Sequence, residues 1–360
     1  MKTEHLHAII MAGGKENRFW PLAGNNVHGQ PPAVLGPAPM LEAALDRVRP
    51  LVPARRTLIV ADSGFPAERP GKAGELPPEN ILIEPLGRGT AACIGLAAHA
   101  VLGKDPQAVM LVLPADQVIT RQEEFLSLAR AGTVLAESER GLVALGIVPT
   151  GPETGFGYIQ AGAPGPEALG RQARPALRFH EKPDAETAAS YLAAGGFFWN
   201  SGIFIWRADA ILDRIGKFLP DLARGLDLIA PHLGRSTQDR ILAEVYPGLP
   251  FESIDRGVLE KADDLLVLPA DIGWSDIGSW SAVSAHWPVS GSNAVRGQAL
   301  LLDSSGTIVH SPDKMAVLIG VRDLIVIDGP GALLICPRDR EKDIRSALGE
   351  LKKIGRDDLL

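Results

Sequence analysis

Cysteine is nearly absent from this 360-residue chain: Cys93 and Cys336 are the only two, far apart and outside any CxxC spacing. That scarcity excludes a disulfide framework and a thiolate zinc centre. Positive charge is also short, because 36 Lys and Arg against 43 Asp and Glu leave a formal net charge of -7. With no broad basic field, neither a nucleic acid polymer nor an anionic membrane surface is an expected partner. Any phosphate the chain binds must then be held by a few placed cations. Long hydrophobic runs are missing too, and the apolar stretch in the N-terminal MKTEHLHAIIMAGG is too short for a signal sequence or a membrane span. A cytoplasmic location is expected. The dinucleotide fingerprint GxGxxG and the P-loop GK[ST] are both lacking, which disfavours a nicotinamide oxidoreductase and a P-loop nucleotide hydrolase.

What remains is an ordinary globular balance, 46% apolar and 22% charged, with a length that suits one large domain and a smaller one. Short apolar runs at Leu6 to Met11, Thr57 to Val60, Ala108 to Leu113 and Leu142 to Ile147 read as strands. Helical spacing at Met40 to Val48, Thr90 to Leu102 and Glu123 to Ala136 separates them. Strands apolar at every position, alternating with helices, predict a doubly wound α/β domain with a mostly parallel sheet covered on both faces. From about Asn293 short strands follow one another, divided by Gly, Asp and Ser, with no helix until Asp343 to Lys353. This predicts a β-rich domain over 293–360 after a larger domain over 1–286, joined by the Pro/Ser/Gly stretch Trp287 to Asn293.

Five segments carry candidate chemistry. MAGGKENRFWPL (11–22) follows the first strand, and backbone N–H groups at such a turn can cradle phosphate, although Gly13-Gly14 taken alone also fits a plain turn. In VMLVLPADQVI (109–119), Asp116 stands just past a buried strand, at the sheet edge where open α/β folds bind ligands. It suits Mg2+, which takes one or two carboxylates plus substrate phosphates, or simply caps the next turn. In GWSDIGSW (273–280), Asp276 again follows an apolar strand, Leu265 to Leu268, and the two carboxylates together are able to hold one magnesium ion. In FHEKPD (179–184), Glu181 and Lys182 precede Pro183, which suits the first position of a helix. Lys182 there adds to an anion site or forms a solvated pair. In GGFFWNSGIFIW (195–206), Asn200 and Ser201 interrupt an apolar run, as sugar-binding groups or as a turn.

In this order the five segments, with EPLGRGTAA (84–92), GIVPTGPETGFGYI (146–159) and SIDRGVLEK (253–261), resemble the sugar-1-phosphate nucleotidylyltransferases, and among them the bacterial mannose-1-phosphate guanylyltransferases. The similarity runs over nearly the whole chain. It implies a Rossmann-like nucleotidyltransferase domain and a short β-helix-like C-terminal domain. It implies GTP and mannose 1-phosphate as substrates, GDP-mannose as product, Mg2+ as cofactor, and a homodimer as a common assembly. The reaction it implies is in-line attack by the sugar phosphate on the α-phosphorus of GTP, with positioning and charge stabilisation supplying the catalysis. By the same resemblance Ala12, Gly13, Gly14 and Lys15 lie under the nucleotide and Arg18 faces its triphosphate. Glu84 to Thr90 and Pro114 hold base and ribose, with Arg88 nearby. Asp116 and Asp276 bind the metal, Gly155, Glu181 and Asn200 border the sugar, and Lys182 meets the sugar phosphate. The cupin-type isomerase domain of the longer, bifunctional members is not expected here.

The departures from the family pattern concentrate in the phosphate loop. Glu16 stands where the family has Gly, Ala23-Gly24 where it has Ser-Arg, and His28-Gly29 where it has Pro-Lys; with a gap, Gln30 is the nearest polar substitute for that Lys. Beyond the loop, Gln117 replaces a usual His and Gly89 an Asn. Glu16 sets a carboxylate beside a triphosphate carrying roughly -4, and the lost Lys removes a cation where charge gathers on the leaving group. Loss of such a donor costs about 10²–10³ in rate. The alternative to an active guanylyltransferase is therefore a weak or inactive paralogue that binds sugar nucleotide as a sensor or regulatory subunit.

Overall fold

The computed structural model describes residues 4–13, 19–22, 40–66, 71–139 and 141–359. The larger unit is built on a nine-stranded sheet. Its strands in chain order are β1 (Leu6–Ala12), β2 (Thr57–Asp62), β3 (Ile81–Glu84), β4 (Val109–Pro114), β6 (Leu142–Ile147), β7 (Tyr158–Ala161), β10 (Arg174–His180), β11 (Phe197–Arg207) and β12 (Leu265–Ala270). A short strand β5 (Gln117–Ile119) pairs outside this sheet with β13 (Trp274–Asp276), and β8 (Glu167–Ala168) with β9 (Arg171–Gln172). The order in space is β3-β2-β1-β4-β11-β6-β12-β10-β7.

The expected mostly parallel sheet is in fact mixed. The pairs β1–β2, β2–β3, β1–β4 and β6–β12 are parallel, whereas β11 enters antiparallel between β4 and β6, and β10 pairs antiparallel with β12 and β7. Pairing direction is a property of the chain's path, and an 11-residue apolar strand such as β11 reads alike in either direction.

Alternate residues of each central strand pack into opposite layers, which explains their unbroken hydrophobicity. Leu6, Ala8 and Ile10 of β1 face Leu41 and Leu45 of α1 (Met40–Val48) and Phe125 and Leu128 of α3 (Gln122–Glu139). Ile9 faces the other layer, with Ile94 of α2 (Thr90–Leu102), Ile211 of α5 (Ala208–Phe218) and Leu222 of α6 (Pro220–Ile229). Fully burying a side chain of this size contributes roughly 1.5–3 kcal/mol. Helix α4 (Ala185–Ala194) begins later than its proline suggested. Asp184, not the residue before Pro183, is the N-cap, its carboxylate accepting the Thr187 N–H at 2.7 Å. A further helix, α7 (Gln238–Val245), completes this layer.

The C-terminal unit is the β-rich body expected. Strands β14 (Val289–Ser290), β15 (Asn293–Leu302), β16 (Ile308–Ile319), β17 (Leu324–Asp328) and β18 (Leu333–Pro337) form one sheet, parallel from β15 through β17, and α9 (Ile344–Lys353) follows. The segment expected to join the units is packed at its start. Trp287 is buried beside Trp280 of α8 (Trp280–Ser284), ring centroids 6.1 Å apart, in a cluster with Phe19, Ile325 and Leu348 that both units share.

Candidate active site

The carboxyl ends of β1, β3, β4 and β6 lie on one edge of the sheet, and a cleft with an empty volume of about 630 Å³ opens there. Its wall brings together Thr90, Pro114, Gly155, Glu181, Asn200 and Asp276, six of the expected site residues drawn from segments far apart in sequence. Pro114 closes β4, and Asp116 follows in the turn before β5. Because β5 pairs antiparallel with β13, Asp276 stands opposite Gln117, the neighbour of Asp116. Asp276 thus lines the cleft, whereas Asp116, in the turn, is not among the residues of its wall. No cluster of three or more His, Cys, Asp or Glu able to hold a metal occurs among the described residues. Two carboxylates completed by substrate phosphates is nonetheless the donor set that magnesium accepts.

On the other side of the cleft, the β11 strand bulges against β6 after Asn200. The Asn200 Nδ2 donates to Asp255 Oδ1 at 2.8 Å, and its Oδ1 accepts the Gly202 N–H at 3.1 Å. The amide is thus held at both ends, leaving one N–H and one lone pair for a ligand. Glu181 accepts from Lys182 Nζ at 2.7 Å. Lys182 is exposed and holds a left-handed backbone, φ 51°, rare outside glycine. Phe156 packs edge-on against Trp199 and Trp274, at 5.1 and 5.2 Å, between the Gly155 loop and the strand carrying Asp276.

Ala12 ends β1, buried, and Gly13 is exposed at the edge beside it. Gly14, Lys15 and Arg18, with the departures Glu16, Ala23-Gly24, His28-Gly29 and Gln30, lie outside the described residues. Arg88 does not line the cleft. Its guanidinium donates to the carbonyls of Tyr246, at 3.1 Å, and Pro247, so it anchors its loop to the 246–247 turn. Gln117, which stands where the family has His, does line the cleft, and its Nε2 donates to the Ser201 carbonyl at 2.5 Å.

Two carboxyls, Glu84 buried and Asp255 partly buried, add to the electrostatics. Burial pushes Glu84 up to about 7, with nearby Asp62 adding to the rise and the Tyr246 hydroxyl, donating at 3.0 Å, opposing it. Burial and then the Glu181 charge push Asp255 up to about 6, against the Asn200 donor and Lys182. Asp255 was not anticipated as a site residue, although it sits in the SIDRGVLEK segment. An acidic residue between the buried Ile254 and Gly257 was the available signal.

Comparison with known proteins identifies the family. Residues 7–287 match the nucleotidyl transferase family and 297–351 the MannoseP isomerase/GMP-like beta-helix domain. The mannose-1-phosphate guanylyltransferase ManC of Salmonella typhimurium is 35% identical over 99% of this chain and 75% of its own length. The xanthan biosynthesis protein XanB of Xanthomonas campestris is 35% identical over 97% of this chain and 73% of its own. Among solved structures, a mannose-1-phosphate geranyltransferase from Thermus thermophilus superposes with a TM-score of 0.84 at 32% identity, covering 97% of this chain and 99% of that one. With an edge-of-sheet cleft, a β-rich C-terminal body and relatives along nearly its whole length, the chain belongs to the nucleotidyl transferase family.

Proposed function

We propose that the chain is a mannose-1-phosphate guanylyltransferase, joining GTP and mannose 1-phosphate into GDP-mannose and pyrophosphate. A phosphate oxygen of the sugar phosphate attacks the α-phosphorus, a new P–O bond forms, and the bond to the β-phosphate oxygen breaks as pyrophosphate leaves. The observation that carries this reading is that one cleft is lined by Thr90 and Pro114, by Gly155, Glu181 and Asn200, and by Asp276 of β13. The first group, with Ala12, Gly13, Gly14 and Lys15, holds the nucleotide. The second borders the sugar, its carboxylate and amide accepting and donating to hydroxyls.

Lys182 supplies the cation for the sugar phosphate and Arg18 one for the triphosphate. Arg88 serves through the loop it anchors. Asp116 and Asp276 hold Mg2+, which when bound neutralises charge on the phosphates. On this reading an acidic chain meets phosphate with a few placed cations.

The test is turnover of GTP and mannose 1-phosphate with Mg2+, read as pyrophosphate release. Asp116→Ala and Asp276→Ala are each expected to lower the rate by about 10²–10³. Absent turnover with measurable GDP-mannose binding would sink the enzyme reading and leave a sugar-nucleotide sensor.

A further inference from the structure

The segment 252–260 makes backbone and side-chain contacts with both halves of the cleft. On the nucleotide side, the Glu252 N–H donates to the Arg88 carbonyl and the Ala91 N–H to the Glu252 carbonyl, each at 3.2 Å, while the Ile254 N–H donates to Thr90 Oγ1 at 2.9 Å. On the sugar side, Asp255 accepts from the Asn200 amide at 2.8 Å, and Glu260 accepts the Glu181 N–H at 2.9 Å. Asp255 opens a π-turn, Asp255–Leu259, a distortion that recurs at functional positions.

The chemistry of the Asn200 contact is directional. A carboxylate only accepts, so it selects the Nδ2 end of the amide, while the Gly202 N–H selects the Oδ1 end. Without Asp255 the amide loses its stronger, charge-assisted partner and is free to rotate. Asp255 itself lines the cleft, close enough to Glu181 for their charges to repel. The acceptor-rich wall these groups form suits a polyhydroxylated ligand.

We infer that Asp255 is a positioning residue for sugar recognition, fixing the orientation in which Asn200 presents its amide. This deepens the proposed function and rests on it. In the holoenzyme, Asp255→Ala is expected to raise KM for mannose 1-phosphate about tenfold, the worth of one hydrogen bond to a charged group. KM for GTP should stay within about twofold, since the change removes only sugar-side binding. Asp255→Asn, which keeps an acceptor for the Asn200 amide, should restore most of the loss. If Asp255 acts through Asn200, adding Asp255→Ala to Asn200→Ala costs nothing further.

An equal rise in both KM values, no rescue by Asp255→Asn, or a double variant showing the product of the single losses would each overturn the inference. GDP-mannose binding followed by tryptophan fluorescence, with Trp274 in the cleft wall, separates this from the parent reading. A wild-type chain that neither turns over nor binds GDP-mannose refutes the sugar-nucleotide function itself. A competent wild type with an unaffected Asp255→Ala refutes the role of Asp255 alone.

Discussion

Gly89 tests the architecture of the nucleotide side most sharply. Judged from sequence, it is one of the departures from the family, which has Asn there. Its backbone, φ 85° and ψ 170°, lies in a region essentially reserved for glycine. A Cβ at this position would stand 2.2 Å from the Glu252 carbonyl oxygen and 2.8 Å from its carbon, and both are backbone atoms with no rotamer to retreat into. To reach ordinary contact the 252–254 segment must move by more than about 1 Å (roughly the gap to a van der Waals separation). That breaks the two backbone hydrogen bonds that join Glu252 to Arg88 and Ala91. Backbone strain of about 1–3 kcal/mol and two hydrogen bonds of about 1 kcal/mol each give a loss of about 3–5 kcal/mol. Against a total stability of about 5–15 kcal/mol that is severe. Gly89→Asn, though it restores the family residue, should therefore lower the melting temperature by about 5 °C and raise KM for GTP. The assay is thermal and urea unfolding beside steady-state kinetics. A Gly89→Asn chain within about 1 kcal/mol of wild type would show that the loop relaxes easily and that this reasoning is wrong.

Three further expectations follow from other residues. Gly157→Ala places a Cβ 2.7 Å from Glu181 Oε2, the far end of a flexible side chain, so the fold should survive while KM for the sugar phosphate rises; unchanged sugar kinetics would count against Glu181 as a sugar-side residue. Glu84 is raised from 4.5 to about 7 in the folded chain, so its contribution to stability is full below pH 4.5 and is lost as pH climbs to about 7. That loss amounts to about 3 kcal/mol. Glu84→Gln, which still accepts from Tyr246, should remove this part of the fall in urea midpoints, and an unaltered slope would refute the assignment. Replacing Glu16 by Gly together with Gly29 by Lys should raise turnover, because it removes a carboxylate and returns a cation near the leaving pyrophosphate. A double variant no faster than an impaired wild type would show that the loop's charge is not what limits the rate.

The helices Met40–Val48 and Thr90–Leu102 and the strand Leu142–Ile147 were legible residue for residue, because apolar spacing and residue size are local signals. The family was legible too, since WNSG, EKP and the two Asp motifs keep their order. Net charge alone showed that the chain carries no broad basic field. Tertiary structure alone decided the antiparallel entry of β11, the diversion of Arg88 to the 246–247 carbonyls and the recruitment of Asp255 to the Asn200 amide. It also decided that Gly89, an apparent erosion of the motif, is required by the Glu252 carbonyl packed against it. Local patterns specify which residues are buried and in what period. Which distant carbonyl or carboxyl a side chain meets depends on strand pairing and packing between segments remote in sequence, and no short motif records that.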